Sequence, residues 1–198
     1  MKNDAIAYGL AGILFGLIAG WIIGTAQGPR EAAPQGAPAA SSQAAPAARP
    51  AEVDEARVNA LTSLAQDQPT DAAPRVQLGN LYFDAERYDE AITWYSQALA
   101  LSPDDPDVST DLGVSYYYTN QPDRAIAQLN HSLDVNPQHA KTLLNLGIVR
   151  AFGKQDLTGA TEVWERLVQL APDSPEGQAA RRALDSLKSA HAGGTPGV

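Results

Sequence analysis

Three copies of one dipeptide decide the fold of this chain: Leu78-Gly79, Leu112-Gly113 and Leu146-Gly147. Each copy begins 34 residues after the previous one. A fixed period of this length is the sequence signature of a repeat array, in which each unit buries its apolar face against the next. The sequence therefore predicts three stacked repeats.

Other positions keep a constant distance from this glycine, and each such set is called a column here. The columns hold an aromatic residue (Tyr82, Tyr116), a small residue (Ala91, Ala125, Ala160), a bulky residue (Tyr95, Leu129, Trp164) and a closing proline (Pro103, Pro137, Pro172), of which Ala160, Trp164 and Pro172 each stand one position late. The pattern resembles the tetratricopeptide repeat over about residues 72–173. The resemblance implies an all-α fold, a helix–turn–helix solenoid that binds proteins or peptides and is not an enzyme.

The columns have a physical cause in the crossing of two helices. Glycine is expected where the backbone of the neighbouring helix approaches closely, and each proline follows a second helix, where it blocks continuation. Repeat three departs from the pattern, because Arg150 stands in the aromatic column and one extra residue precedes Leu157. Since a one-residue insertion in a turn is cheap, we predict intact helices and a distorted turn at Gly153–Asp156.

The repeats and their flanks divide the chain into successive ranges. These are a transmembrane anchor (1–27), a flexible Ala/Pro-rich linker (28–52), an N-terminal half-repeat helix (53–71), repeat one (72–105), repeat two (106–139), repeat three (140–173), a C-terminal capping helix (174–191) and a disordered tail (192–198). The half-repeat is inferred because Leu61 and Pro69 lie 34 positions before Tyr95 and Pro103. A capping helix with one polar side is what the end of a solenoid requires.

The anchor is predicted from an uncharged apolar run at residues 5–24, about the length that spans a bilayer. Trp21 and Tyr8 near its ends suit membrane interfaces. The alternative is a cleaved secretory signal, since Gly24-Thr25-Ala26 has a small-x-small pattern, but the run is longer than a usual signal core. We predict an uncleaved single-pass anchor with its N-terminus inside, which in a bacterium places the repeats on the periplasmic side of the inner membrane.

Glycine recurs at every fourth position of this run, at Gly12, Gly16, Gly20 and Gly24. Residues four apart share a helix face, so these glycines form a flat strip on which another helix packs closely. The strip predicts a homo-oligomer through the anchor, or docking on a partner's transmembrane helix. The alternative is that glycine is simply common in membrane helices.

The negative charge of the chain is concentrated in the repeat region. The whole chain carries a net charge of −9, and residues 51–198 alone carry −10. This balance argues against nucleic acid or anionic lipid headgroups as ligands of the repeats. It is compatible with a basic or apolar protein partner, and equally with an acidic surface that aids solubility.

The resemblance also implies a concave peptide-binding groove lined by the first helix of each repeat. The corresponding positions are Val76, Asn80, Phe83, Asp84, Thr110, Val114, Tyr117, Tyr118, Leu144, Ile148, Ala151 and Phe152. Chaperone-binding members of the family hold a C-terminal carboxylate with Lys, Asn and Arg in these columns, and only Asn80 matches here. We therefore expect an apolar and aromatic groove without a carboxylate clamp. The alternative is that several of these side chains are buried between helices or under the linker.

Catalytic and metal-binding patterns are absent from the sequence. His131, His139 and His191 stand in separate contexts, without a second ligand at metal spacing. No phosphate-binding loop, nucleophile motif or paired carboxylates occur. We expect no cofactor and no metal.

The sequence leads to three functional hypotheses. The first is a membrane-tethered adaptor or assembly protein that binds a segment of a protein partner in its groove. The second is a repeat subunit of a cytochrome c maturation system that presents apocytochrome, because Gly159-Ala160, Trp164–Leu167 and Pro172–Glu176 resemble the C-terminal end of such subunits. The third is a structural scaffold that self-associates at the membrane.

Overall fold

The structure, a computed structural model, describes residues 52–192, with side chains as far as residue 189. Within this range the chain is helical and contains no β-strand, which confirms the all-α prediction for these residues. The α-helices are α1 (Glu55–Asp67), α2 (Ala73–Asp84), α3 (Tyr88–Leu101), α4 (Pro106–Tyr118), α5 (Pro122–Val135), α6 (Ala140–Ile148), α7 (Leu157–Leu170) and α8 (Pro175–Ala192). A π-helical turn, Val149–Gly153, continues α6.

Consecutive helices pack in pairs that correspond to the predicted repeats. Helix α2 packs on α3, α4 on α5, and α6 on α7, which gives repeats one, two and three. Helix α1 packs on α2 at one end, and α8 packs on α6 and α7 at the other. The result is an array in which each pair contacts its neighbours in sequence order.

Helix boundaries follow from acidic caps and left-handed turn residues. Asp54, Asp105 and Asp156 precede α1, α4 and α7, and each carboxylate accepts a hydrogen bond from the backbone N–H three residues on. After α2 and α4, Glu86 and Asn120 adopt positive φ angles, which end the first helix and direct the chain into the second.

The repeated glycine makes room for the bulky side chain of the second helix. Tyr95 lies over Gly79, Leu129 over Gly113 and Trp164 over Gly147. A Cβ atom at Gly113 would lie 2.9 Å from Leu129 Cγ and 3.3 Å from the Ala125 carbonyl oxygen. The close approach is present, but its predicted cause needs correction: the nearest atoms belong to a side chain and not to the neighbouring backbone.

The extra residue of repeat three is accommodated inside a helix, which corrects the prediction of intact helices with a distorted turn. In the π-helical turn Val149–Gly153, the Lys154 N–H donates to the Val149 carbonyl oxygen at 3.1 Å. Gln155 then takes the positive φ that closes the first helix in the other two repeats. A π-turn holds one more residue than an α-turn, so the insertion is absorbed before the turn begins.

One apolar core runs through the repeats, and both ends of the array are closed by single helices. The core consists of Ala91, Tyr95, Ala98, Val108, Leu112, Tyr116, Ala125, Leu129, Leu146 and Val149. At the N-terminal end Val58 and Leu61 of α1 pack with Leu78. At the C-terminal end α8 buries Ala180, Ala183 and Leu184 and exposes Arg181 and Arg182. The last helix thus has a buried apolar side and an exposed charged side.

The predicted anchor with its glycines, the linker through residue 51 and the tail from residue 193 lie outside the described residues. Between residues 52 and 192, no helix has the length and apolar composition needed to cross a membrane.

Candidate peptide-binding surface

Most of the predicted groove residues of repeat one share a face of α2. Val76, Asn80 and Phe83 follow one another at intervals of four and three residues, so they lie in one row. Val76 and Phe83 are half-buried because they pack against the core, whereas Asn80 and the nearby Asp84 are exposed. Asn80 is already engaged, since its Oδ1 accepts a hydrogen bond from the Tyr95 hydroxyl at 2.8 Å.

The remaining predicted groove residues divide into half-buried and buried side chains. The half-buried ones are Val114, Tyr117 and Tyr118 of repeat two and Leu144 and Phe152 of repeat three. Ile148, Ala151 and Thr110 are buried. For these three the prediction of a groove-lining position is wrong, and burial between helices, the stated alternative, applies instead.

Thr110 is buried because three hydroxyls meet where repeats two and three join. Its Oγ1 lies 3.1 Å from the Ser132 hydroxyl and 2.5 Å from the Thr142 hydroxyl. The Thr142 hydroxyl is 2.6 Å from Nδ1 of His139, whose Nε2 faces Asp107 at 3.4 Å. Because each of these buried polar groups has a hydrogen-bonding partner, the three hydroxyls belong to the buried interface between repeats two and three and not to a ligand-binding surface.

Four aromatic side chains form one cluster across repeats one and two: Phe83, Tyr88, Tyr117 and Tyr118. The rings of Tyr88 and Tyr118 stack, with centroids 4.4 Å apart and an interplanar angle of 12°. Phe83 meets Tyr88 edge-on at 5.4 Å and Tyr118 edge-on at 6.2 Å. Tyr117 lies 5.8 Å from Tyr118. All four side chains are half-buried, so the aromatic cluster presents ring surface to solvent at the C-terminal ends of α2 and α4.

The phenols of this cluster stay protonated at neutral pH. Burial raises the pKa of Tyr88, and the neighbouring Tyr118 and Glu86 raise it further. Burial also raises the pKa of Tyr117 and that of Tyr118, with smaller effects of Tyr117 and Glu86 on Tyr118. The cluster therefore offers neutral rings and hydroxyls beside the carboxylate of Glu86.

Tyr88 is the member of the cluster that the sequence analysis missed. It is the first residue of α3, whereas the family resemblance places the groove positions on the first helix of each repeat. A signal for it was present, because its column holds Tyr88, Pro122 and, after the inserted residue, Leu157. A large apolar or aromatic group at the start of the second helix in each repeat indicates a surface that the neighbouring first helices share.

A cavity of about 350 Å³ opens at the opposite end of α2. Its walls come from the beginning of α2, the end of α3 and the beginning of α4. The lining is mostly apolar, with Ala72, Val76, Ala98 and Val108, and its polar members include Gln77, Ser102 and Asp105. Val76 thus connects this cavity to the row that leads along α2 to the aromatic cluster.

The charges around this surface are mainly negative. Lys141 lies 2.6 Å from Asp111, so this pair links repeats two and three. Arg87 pairs with Glu90 and lies over the Tyr82 ring, and Arg124 lies over the Tyr116 ring. The cations of repeats one and two that lie near the surface are therefore already engaged within the chain.

The described residues offer no metal site. Among them, no group of three or more His, Cys, Asp or Glu side chains has the arrangement needed to hold an ion. His139 is tied to the Thr142 hydroxyl, and His131 is exposed on α5.

Two models of known protein families match the repeat region. Residues 79–119 match the family model described as TPR repeat, and residues 110–175 match the model described as tetratricopeptide repeat. No curated protein matches the chain in sequence. The two family matches together span residues 79–175, which include most of repeat one and all of repeats two and three.

Solved structures show the same fold. The first TPR of Spaghetti (RPAP3) bound to the HSP90 peptide SRMEEVD is 28% identical, with a TM-score of 0.56, over 62% of this chain and 94% of that chain. The Sgt2 TPR domain from Aspergillus fumigatus is 25% identical, with a TM-score of 0.56, over 64% of this chain and 85% of that chain. MamA, 16% identical over 65% of this chain and 82% of that chain with a TM-score of 0.55, adds support for the fold alone.

Proposed function

Because the described residues form an all-helical tetratricopeptide-repeat solenoid, we propose that this chain is a non-enzymatic adaptor that binds a segment of a protein partner. The binding surface is the row along α2 and the aromatic cluster that it reaches. The fold is one that typically serves as a scaffold for protein interactions, and the similar first TPR of Spaghetti (RPAP3) is bound to a peptide.

One observation carries the proposal: four half-buried aromatic side chains from two repeats meet on one surface. Aromatic anchors with exposed ring surface carry much of the binding energy at protein interfaces. Two of them, Phe83 and Tyr117, also pack on the core. Tyr88 at the start of α3 is therefore the better probe, because its removal perturbs the fold less.

The test is co-purification of a partner with the full chain, followed by affinity measurement. Tyr88→Ala should weaken binding of the captured partner by more than about 1 kcal/mol. The matched control is Leu157→Ala, which truncates an exposed residue in the same column of repeat three and should leave the affinity unchanged. Equal affinity of the Tyr88→Ala variant and the wild type would place the interface elsewhere.

Membrane attachment through residues 5–24 belongs to the same proposal and rests on the sequence alone. The tether would keep the adaptor and its partner at one membrane surface. The alternative of an end-to-end scaffold of repeats has a physical argument against it. Arg57 and Arg182 occupy the alanine and glycine columns at the two ends of the array, and both side chains are exposed. Bulky charged groups in these columns oppose the close helix crossing that stacking of a further repeat requires.

A further inference from the structure

The partner segment can be specified further, on the basis of the proposed function. We infer that the surface binds an extended segment carrying an apolar side chain and, about three residues away, a lysine or arginine. The apolar side chain enters the cavity at Val76, and the cation lies against the aromatic cluster beside Asp84 and Glu86.

The first support is the uneven distribution of charge along the array. Residues 52–139, which include repeats one and two, carry a net charge of −11, whereas residues 140–192 carry +1. The cavity and the aromatic cluster both lie in the acidic part. A field of one sign over one part of a surface attracts ligands of the opposite charge.

The second support is a pair of carboxylates that lie in sequence between two members of the aromatic cluster, Phe83 and Tyr88. Asp84 ends α2 and Glu86 lies in the turn before Tyr88, and both are exposed. Within the described residues neither carboxylate has an ion pair or a side-chain hydrogen bond; Arg57 acts on Asp84 only at longer range. Arg87, their neighbour in sequence, is held by Glu90. A cation from a partner would therefore find unpaired carboxylates here.

The chemistry of the rings agrees with a cation as the ligand. The faces of tyrosine and phenylalanine attract ammonium and guanidinium groups, and a nearby carboxylate strengthens this attraction. Such contacts occur within the described residues, where Arg87 is 4.9 Å from the centre of the Tyr82 ring and Arg124 is 4.0 Å from that of Tyr116. The aromatic cluster holds four further rings, and the Glu86 carboxylate acts on two of them, Tyr88 and Tyr118.

The spacing of the two anchors follows from helix geometry. Val76 lines the cavity and Phe83 belongs to the cluster, and they lie seven residues apart on one face of α2. At 1.5 Å per residue this separation is about 10 Å. An extended peptide in the polyproline II conformation covers about 3.1 Å per residue and has three residues per turn, so side chains three residues apart lie on one side of it and reach both anchors.

The inferred segment is opposite in charge to the peptide that is bound in the similar structure. The peptide SRMEEVD, bound by the first TPR of Spaghetti (RPAP3), ends in three acidic residues among its last four. An acidic tail would approach Asp84 and Glu86 and would be repelled. The two proteins would then share a fold and select segments of opposite charge.

The experiment selects short random peptides displayed on phage against the immobilised full chain. Peptides that also bind the Tyr88→Ala variant are removed. The enriched peptides should place Arg or Lys three residues from Leu, Ile, Met or Phe, and the synthetic peptide SRMEEVD should not compete with them. For one enriched peptide, the double variant Asp84→Asn, Glu86→Gln should raise Kd about three- to tenfold. Glu165→Gln, which neutralises an exposed carboxylate on α7, is the control and should leave Kd unchanged.

The outcomes separate this inference from the proposed function. Enriched peptides that depend on Tyr88 but are acidic or uncharged would overturn the inference and leave the adaptor function standing. The same holds if the double variant binds as tightly as the wild type. If no peptide depends on Tyr88, while a co-purified partner still does, the surface binds a folded partner and the segment inferred here is wrong. If neither depends on Tyr88, both proposals fail.

Discussion

At the scale of single residues, the glycine of each first helix leaves a gap that one large side chain from the second helix fills. Leu129 is completely buried over Gly113, and Tyr95 and Trp164 take the same place in the other repeats. The size of the bulky residue varies from repeat to repeat while the glycine does not. The contact therefore depends on the absence of a Cβ atom at the glycine, and bulky side chains of different size can pack there.

Gly113→Leu is expected to destabilise the repeats strongly. Even a Cβ atom there would lie 2.9 Å from Leu129 Cγ, and the remaining leucine atoms would have to displace that side chain or part the helices. Overpacking of this kind costs about 1–3 kcal/mol or more in the free energy of unfolding, which urea denaturation of the full chain measures. Ala100→Leu, at an exposed position of α3, is the control and should be neutral. A neutral Gly113→Leu would mean that the helix pairing is wrong.

The half-buried carboxylate of Asp111 makes stability depend on pH. Burial raises the pKa of Asp111 above its ordinary value, and Lys141 opposes this with a smaller effect. The folded chain therefore binds this proton more tightly than the unfolded chain does, so stability falls as pH rises from the ordinary pKa of aspartate through the raised one. Near pH 7, the ionised carboxylate lowers the stability of the fold.

Asp111→Asn removes this titration and should be at least as stable as the wild type near pH 7. Its advantage should shrink in acid, where Asp111 is protonated in both states. Urea unfolding at neutral and acid pH measures the difference. Asp123→Asn serves as the control, because the Asp123 carboxylate is 81% exposed although it pairs with Lys154. A variant that is less stable at pH 7 would show that the ion pair with Lys141 outweighs the cost of burial.

At the scale of helices, the sequence predicts the paired elements well because one spacing repeats three times. In repeat three the 34-residue spacing is longer by one, which shows that a residue is inserted but not where the chain accommodates it. The structure places it in the π-helical turn, because Gln155 adopts the positive φ and Asp156 N–H donates to the Arg150 carbonyl oxygen at 2.8 Å. The place of the insertion depends on backbone geometry, which the residue type at a single column does not reveal.

The residues of the candidate surface were predicted less well than the helices, because their positions depend on contacts between helices that the spacing does not report. Thr110 was expected in the groove because it lies three residues before Gly113, in a column that the family resemblance assigns to the concave face. Its burial depends on Ser132 and Thr142, two residues on other helices, which supply the hydrogen bonds that its hydroxyl needs. Tyr88 was not predicted, because its role arises from stacking on Tyr118 of the next repeat, a contact that the columns of the first helices do not reveal.

Deletion of Lys154 tests whether the π-helical turn is required by the fold. The deletion restores the 34-residue spacing, so α6 should continue as a regular helix to the turn. It removes the ion pair between Lys154 and Asp123, which is exposed and contributes at most about 1 kcal/mol. We expect a free energy of unfolding within about 1 kcal/mol of the wild type. A much larger loss, measured by urea denaturation, would show that the π-turn fixes contacts that a regular helix cannot make.

At the scale of the whole molecule, the proposed function assigns one binding task to the acidic repeats and another to the apolar N-terminal run. Residues 51–198 carry a net charge of −10, which does not favour adsorption to anionic lipid headgroups. Any attachment to a membrane must therefore come from residues 5–24, an apolar run without charge. Since hydrocarbon and not charge would hold the chain, the attachment should be insensitive to salt.

The full chain is accordingly expected to fractionate with membranes and to resist extraction by carbonate or high salt, because an apolar span is held by the hydrocarbon core. A chain that begins at residue 52 is the control and should remain in the soluble fraction. Replacing Gly16 and Gly20 with leucine should preserve membrane insertion and weaken association between anchors, measured by cross-linking in detergent, because it removes the flat strip on which helices pack. Recovery of a soluble form that begins near Gln27 would instead identify Gly24-Thr25-Ala26 as a cleavage site, and the adaptor would then act without a tether.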